Sequence, residues 1–105
     1  MEYLKCFWYH SYEDSSVILF YEIDETEERY ARRLVEVFSD RQIKRADNEG
    51  FEFITEAPVP TPEQINKMSC SDKPEWFALT ITKEEFEQVW AMDGQIYTGN
   101  LVYNG

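Results

Sequence analysis

An α+β fold is predicted for this chain: an antiparallel sheet of four to five strands in meander order, with two short helices packed on one face. Three observations predict it. Short apolar runs bounded by polar turn clusters succeed one another through the first half. Two capped helix starts punctuate the second half. Hydrophobic residues make up 43% of the 105 and aromatics 16%, which is enough for one core and too rich for a disordered chain. The length fits a single domain, 1–105, and no repeat, low-complexity tract or linker divides it.

In chain order, residues 4–10 form the first predicted strand, rich in aromatics and closed by the polar cluster Ser11-Tyr12-Glu13-Asp14-Ser15-Ser16. Residues 17–23 are nearly continuous in apolar side chains, which predicts a central strand. The acidic loop Asp24-Glu25-Thr26-Glu27-Glu28 follows. Within 30–38, Arg33, Val35 and Val37 share one face, and Arg32, Leu34, Glu36 and Phe38 share the other. Ser39-Asp40-Arg41-Gln42 is the hairpin turn into a short strand at 43–46. Asp47-Asn48-Glu49-Gly50 breaks the chain before a candidate edge strand at 51–55. Sequential short strands joined by turns favour an antiparallel meander.

The second half changes character. Ala57-Pro58-Val59-Pro60 is extended, because proline continues neither a helix interior nor a sheet ladder. Thr61-Pro62-Glu63-Gln64 starts a short helix ending at Met68, with a threonine cap, proline at the first helical position and Gln64 at the capping-box position. Residues 77–81 form another strand. Thr82-Lys83-Glu84-Glu85 repeats the capping box, and Ile81 and Phe86 stand where a hydrophobic staple closes. Phe86, Val89 and Trp90 then make one apolar helical stripe, which Asp93-Gly94 ends. A small closing hairpin is expected at 96–103, within a C-terminal extension at 93–105.

Twenty-one acids against ten bases give a net charge of −11. Such a domain repels nucleic acids and anionic membranes and attracts basic proteins. The charge is uneven: −7 over residues 1–28, +4 over 29–45 and −8 over 46–105. The basic middle is expected to pair internally with neighbouring acidic strands rather than to bind nucleic acid. The N-terminus lacks the apolar core of a signal peptide and no segment reaches transmembrane length, so the cytoplasm is the expected compartment.

Few residues offer chemistry. Cys6 lies in an apolar strand pattern, as a buried free thiol would, and Cys70 lies in a polar Ser-Cys-Ser-Asp loop; a disulfide between them is the alternative. His10, the only histidine, is expected to end a strand and bond to a loop group, because no nucleophile or second base stands in partnership with it. The 24–28 carboxylates could surround a hard cation, but lack the spacing and glycine of a calcium loop, so no metal is expected. No phosphate loop, paired Cys-x-x-Cys or nucleotide fingerprint appears, and no cofactor is expected. Trp8 and Trp90 are expected in the core. Trp76 follows Asp72-Lys73-Pro74-Glu75 and is either an interface anchor or a plug at the sheet edge.

The opening Tyr3-Leu4-Lys5-x-x-Trp8-x-His10-Ser11 is followed by Val17-x-Leu19-x-Tyr21-Glu22 and by Arg33-Leu34-Val35-Glu36-Val37-Phe38. Then come Glu56-x-Pro58-Val59-Pro60-x-x-Glu63-x-Ile65 and Ile81-Thr82-x-Glu84-Glu85-Phe86-x-x-Val89-Trp90. Together, over most of 3–92, these resemble a family of small bacterial domains of unknown function. The acidic insertion at 25–28 and the tail at 93–105 depart from it. The resemblance implies a compact bacterial cytosolic α+β domain and carries no catalytic residues.

The expected function is that of an immunity protein, not an enzyme. An acidic domain of this kind neutralises a basic toxin, a nuclease above all, because nucleases are positive where they meet phosphate. Glu13, Asp14, Asp24, Glu25, Glu27 and Glu28 would supply the electrostatics, with Tyr12 or Trp76 as anchors. The competing readings are an acidic housekeeping domain without a toxin partner, and a small enzyme around His10 with Arg32 or Arg33 holding an anion.

Overall fold

The alternating and continuous apolar runs pair as a five-stranded antiparallel sheet in the computed structural model, which describes residues 1–9, 16–27, 29–47, 59, 61–68, 76–92 and 94–101. Its strands are β1 (Glu2–Trp8), β2 (Ser16–Asp24), β3 (Tyr30–Phe38), β4 (Ile43–Asp47) and β5 (Trp76–Thr80). Helix α1 (Pro62–Met68) precedes β5 and helix α2 (Lys83–Trp90) follows it. The spatial order is β4-β3-β2-β1-β5, so the first four strands are a meander and the last returns beside β1. The expected edge strand at 51–55 lies outside the described residues, as does His10.

Two bulges shape the meander. The register passes from Glu22↔Arg33 to Ile23↔Ala31, leaving Arg32 without an opposite residue, and from Ser16↔Phe38 to Ile18↔Val37, leaving out Val17. Arg33, Val35 and Val37 therefore share a face, as the alternation predicts, while Ala31 is switched to the opposite one with Ile23. The predicted hairpin turn is present: the Phe38 carbonyl accepts from the Arg41 N–H at 2.8 Å, and Arg41 takes the left-handed conformation at φ 71°.

The helices lie on opposite faces of the sheet, which corrects the expectation of a single covered face. Tyr3, Phe7, Ile18, Phe20, Val35 and Val37 point to one side and pack with Ile81 and with Phe86 and Val89 of α2. Leu4, Cys6, Leu19, Ile23 and Ala78 point to the other and pack with Val59 and with Ile65 of α1. The cause lies in β1, whose two alternating sets, Tyr3 with Phe7 and Leu4 with Cys6, are both apolar and each needs a cover. Cys6 is buried and free rather than in a disulfide, and burial pushes its thiol up to about 12. Cys70 lies outside the described residues.

Both helix starts are built as their sequences predict. Thr61 and Gln64 form a reciprocal box: the Gln64 N–H donates to Thr61 Oγ1 at 3.2 Å and the Thr61 N–H to Gln64 Oε1 at 3.0 Å. Thr82 caps α2 through the Glu85 N–H at 3.1 Å, and Ile81 and Phe86 are buried together as a staple. Beyond α2, Gly94 turns the chain at φ 80°. Of the hairpin expected at 96–103, the described residues to Leu101 form one isolated bridge, Gln42↔Ile96, and no strand.

Candidate functional site

Within the basic middle of the chain, Arg29, Arg32, Arg33 and Arg41 bond within the domain, while Lys44 and Arg45 are exposed. Arg29 pairs with Glu2 of β1 and donates through Nε to the Val59 carbonyl at 2.9 Å. Arg32, freed by its bulge, donates to Asp24 Oδ2 at 2.7 Å. Arg33 forks onto Glu22, with Nε to Oε1 at 2.9 Å and Nη2 to Oε2 at 2.6 Å, and also pairs with Glu87 of α2. Its guanidinium lies 4.8 Å from the Phe86 ring centre and 4.7 Å from that of Trp90, while Arg45 covers Trp90 at the same 4.7 Å. Tyr3 closes the cluster by donating to Glu22 Oε2 at 3.1 Å. Arg33 thus clamps α2 to the sheet, and hydrogen bonding to it lowers the Glu87 carboxyl pKa.

Only part of the anticipated partner surface is exposed acid. Asp24 is buried to 8% exposure, and its carboxylate shapes the following turn by accepting from the Thr26 hydroxyl at 2.6 Å and the Thr26 N–H at 3.0 Å. The Thr26 hydroxyl bond first, then the bond from Arg32 and the weaker one from the Thr26 N–H, hold its carboxyl down to about 2. Glu25 is exposed beside it, in a single 3₁₀ turn over Glu25–Glu27. Tyr12, Glu13, Asp14 and Glu28 lie outside the described residues, as does the Glu27 side chain.

Trp76 is half-buried at the sheet edge. It starts β5 opposite Trp8, and the two rings stack 5.0 Å apart at 3° on the α1 side. Asp24 and Glu25 belong to the other end of β1, where Glu2 faces Ile23, a strand length of roughly 20 Å away. Trp76 and the Asp24–Glu25 acids therefore do not form one patch. Among the described residues the exposed acids also include Asp40, Glu63, Glu84 and Glu85.

A cleft of about 230 Å³ opens on the α2 face, and the sequence reading did not anticipate it. Lys5 of β1 forms its floor with Phe20, its cross-strand partner. Glu85, Gln88, Val89 and Met92 wall it from α2, and Tyr97, Thr98 and Gly99 wall it from the tail. The Lys5 ammonium stands 4.9 Å from the Phe7 ring centre, 5.5 Å from Phe20 and 5.9 Å from Tyr97. Arg41 fixes the tail wall: its Nη1 donates to the carbonyls of Tyr97 at 2.9 Å and Gly99 at 2.6 Å, and its own carbonyl accepts from the Tyr97 N–H at 2.9 Å. Gly99 is required by close approach, since a Cβ there would overlap the Tyr97 hydroxyl. The one signal for this site was a lysine at an inward position of the first apolar strand.

Among the described residues no three His, Cys, Asp or Glu side chains gather as a metal site, and no described helix is long and apolar enough to cross a membrane. No curated protein and no solved structure matches the chain. A family model does match residues 2–95, from the first residue of β1 to just past the Gly94 turn, and leaves out the tail that walls the cleft. With its meander, both helices and the Arg33 clamp inside that span, the chain belongs to the family described as a domain of unknown function, DUF6881.

Proposed function

We propose that the protein is an immunity protein of the antitoxin type, which binds a basic toxin, a nuclease domain, in the bacterial cytoplasm and neutralises it by acidic surface complementarity. The observation that carries the proposal is the disposition of charge. Arg29, Arg32 and Arg33 are consumed in ion pairs within the domain. Glu25, Asp40, Glu63, Glu84 and Glu85 are exposed and enter no ion pair among the described residues. These exposed acids are part of the chain's surplus of −11 and stand beside the exposed bases Lys44, Arg45, Lys67 and Lys83. A surface of this sign mimics the polyanion that a nuclease cleft is built to hold, and it accelerates encounter through long-range attraction.

The interface is assigned to Glu25 with its sequence neighbours Glu27 and Glu28, and, as a separate stretch that precedes the opposite end of β2, to Glu13 and Asp14 with Tyr12 as an anchor. Asp24 shapes the turn that presents Glu25 instead of offering its own carboxylate. The test is growth of a bacterial host expressing the product of the gene adjacent to this one, with and without this protein. Toxicity relieved by co-expression, with the two proteins co-purifying, is the expected result. Toxicity that persists, or relief without a complex, would sink the reading.

A further inference from the structure

We propose that the cleft between α2 and the tail segment 96–101 binds a small zwitterion with an apolar side chain, a free apolar α-amino acid, its carboxylate at Lys5 and its ammonium at Glu85. The argument begins with Lys5. In a chain with twenty-one acids, its ammonium enters no ion pair or hydrogen bond among the described residues, and aromatic rings cover it. A half-buried cation with only ring faces for company retains donors for an anion from outside. Glu85 lines the same cleft, and no ion pair joins it to Lys5. Among the described residues, one cation and one anion without an ionic partner thus line a single opening, the Glu85 carboxylate accepting only a 3.4 Å bond from the Thr82 hydroxyl, and Phe20, Val89, Met92 and Tyr97 line it with them.

Charge selects the ligand class. A dicarboxylate or phosphate ester gains from Lys5 and loses to Glu85, and a diamine does the reverse. A molecule bearing one charge of each sign satisfies both. The volume, about 230 Å³, lies below the roughly 300–1,000 Å³ of pockets for drug-sized ligands and suits a single amino acid. The wall that closes the site, Tyr97 to Gly99, lies beyond the family-matched residues 2–95. The site is independent of the toxin partner and stands or falls separately from it.

The test is a titration of the full chain, followed through the backbone amide resonances of Lys5, Val89 and Tyr97. The probes are L-phenylalanine, 3-phenylpropionate, which keeps only the carboxylate, and phenethylamine, which keeps only the ammonium. The expected result is saturable shifts with L-phenylalanine and binding about tenfold weaker for each analogue. Glu85→Gln, which preserves the helix cap, should bring L-phenylalanine down to the level of phenylpropionate. Lys5→Met should bring it down to the level of phenethylamine. Absent shifts at about 10 mM ligand would overturn the proposal, as would equal binding of the three probes to the unaltered chain. The three-probe comparison decides the matter even if Lys5→Met does not fold. A lysine that merely packs along the rings gives that equality.

Discussion

At Arg33, four acidic or aromatic side chains from two other elements meet one guanidinium: Glu22 of β2, and Glu87, Phe86 and Trp90 of α2. Arg33→Met keeps an apolar stem but strands the buried Glu22 carboxylate, so a loss of about 2–3 kcal/mol is expected in urea unfolding. An unchanged midpoint would show that the clamp adds nothing. Pairing of the basic middle with neighbouring acids was legible in the charge distribution. Glu87 was not, because it lies 54 residues from Arg33 and no local pattern links them.

Asp24 makes a different prediction at the same scale. Its folded pKa of about 2 lies below the unfolded value, so its stabilising contribution is complete above about pH 4 and is lost as pH falls towards 2. Asp24→Asn should flatten the stability profile across that window, measured as the denaturation midpoint at each pH. A profile of unaltered slope would remove Asp24 from acid unfolding. The lowered Glu87 carboxyl acts in the same direction, so the slope should diminish without vanishing. The sequence placed Asp24 in an acidic loop; only its inward turn onto Thr26 and Arg32 reveals a structural role.

Among the elements, β5 shows how a short strand is finished at its outer side. The Asn66 amide of α1 imitates a neighbouring strand, accepting from the Ala78 N–H at 2.7 Å and donating to its carbonyl at 3.0 Å. Asn66→Ala removes both bonds, and a loss of about 1–2 kcal/mol is expected, with faster hydrogen exchange at Ala78. Exchange at Ala78 matching that of the unaltered chain would refute the arrangement. The helix starts were legible because a capping box is a local code, written in Thr61 with Gln64 and in Thr82 with Glu85. The face each helix takes was not, since an apolar stripe such as Phe86 with Val89 states that burial is needed but not on which side. The decisive hint was in β1, where Leu4 and Cys6 are as apolar as Tyr3 and Phe7.

For the whole molecule, Arg29, Arg32 and Arg33 are held in internal ion pairs, while Glu25, Asp40, Glu63, Glu84 and Glu85 are exposed. Length, composition and turn chemistry sufficed for the α+β class and the meander, because strands adjacent in sequence pair with each other. The return of β5 beside β1, across about 70 residues, carries no such local signature. The cleft was equally hidden, since it needs Lys5, α2 and the tail to converge through the Arg41 contacts. The immunity proposal makes its demand at this scale too, because its interface works through summed charge rather than through one residue.

The measurement that tests it most directly is the association rate of this protein with the toxin domain recovered by co-expression, followed by stopped flow as salt is raised from about 20 to about 500 mM. Charge-steered binding predicts a fall of about tenfold or more, and a shallower fall for Glu25→Lys. A rate that stays constant across that range would contradict acidic surface complementarity.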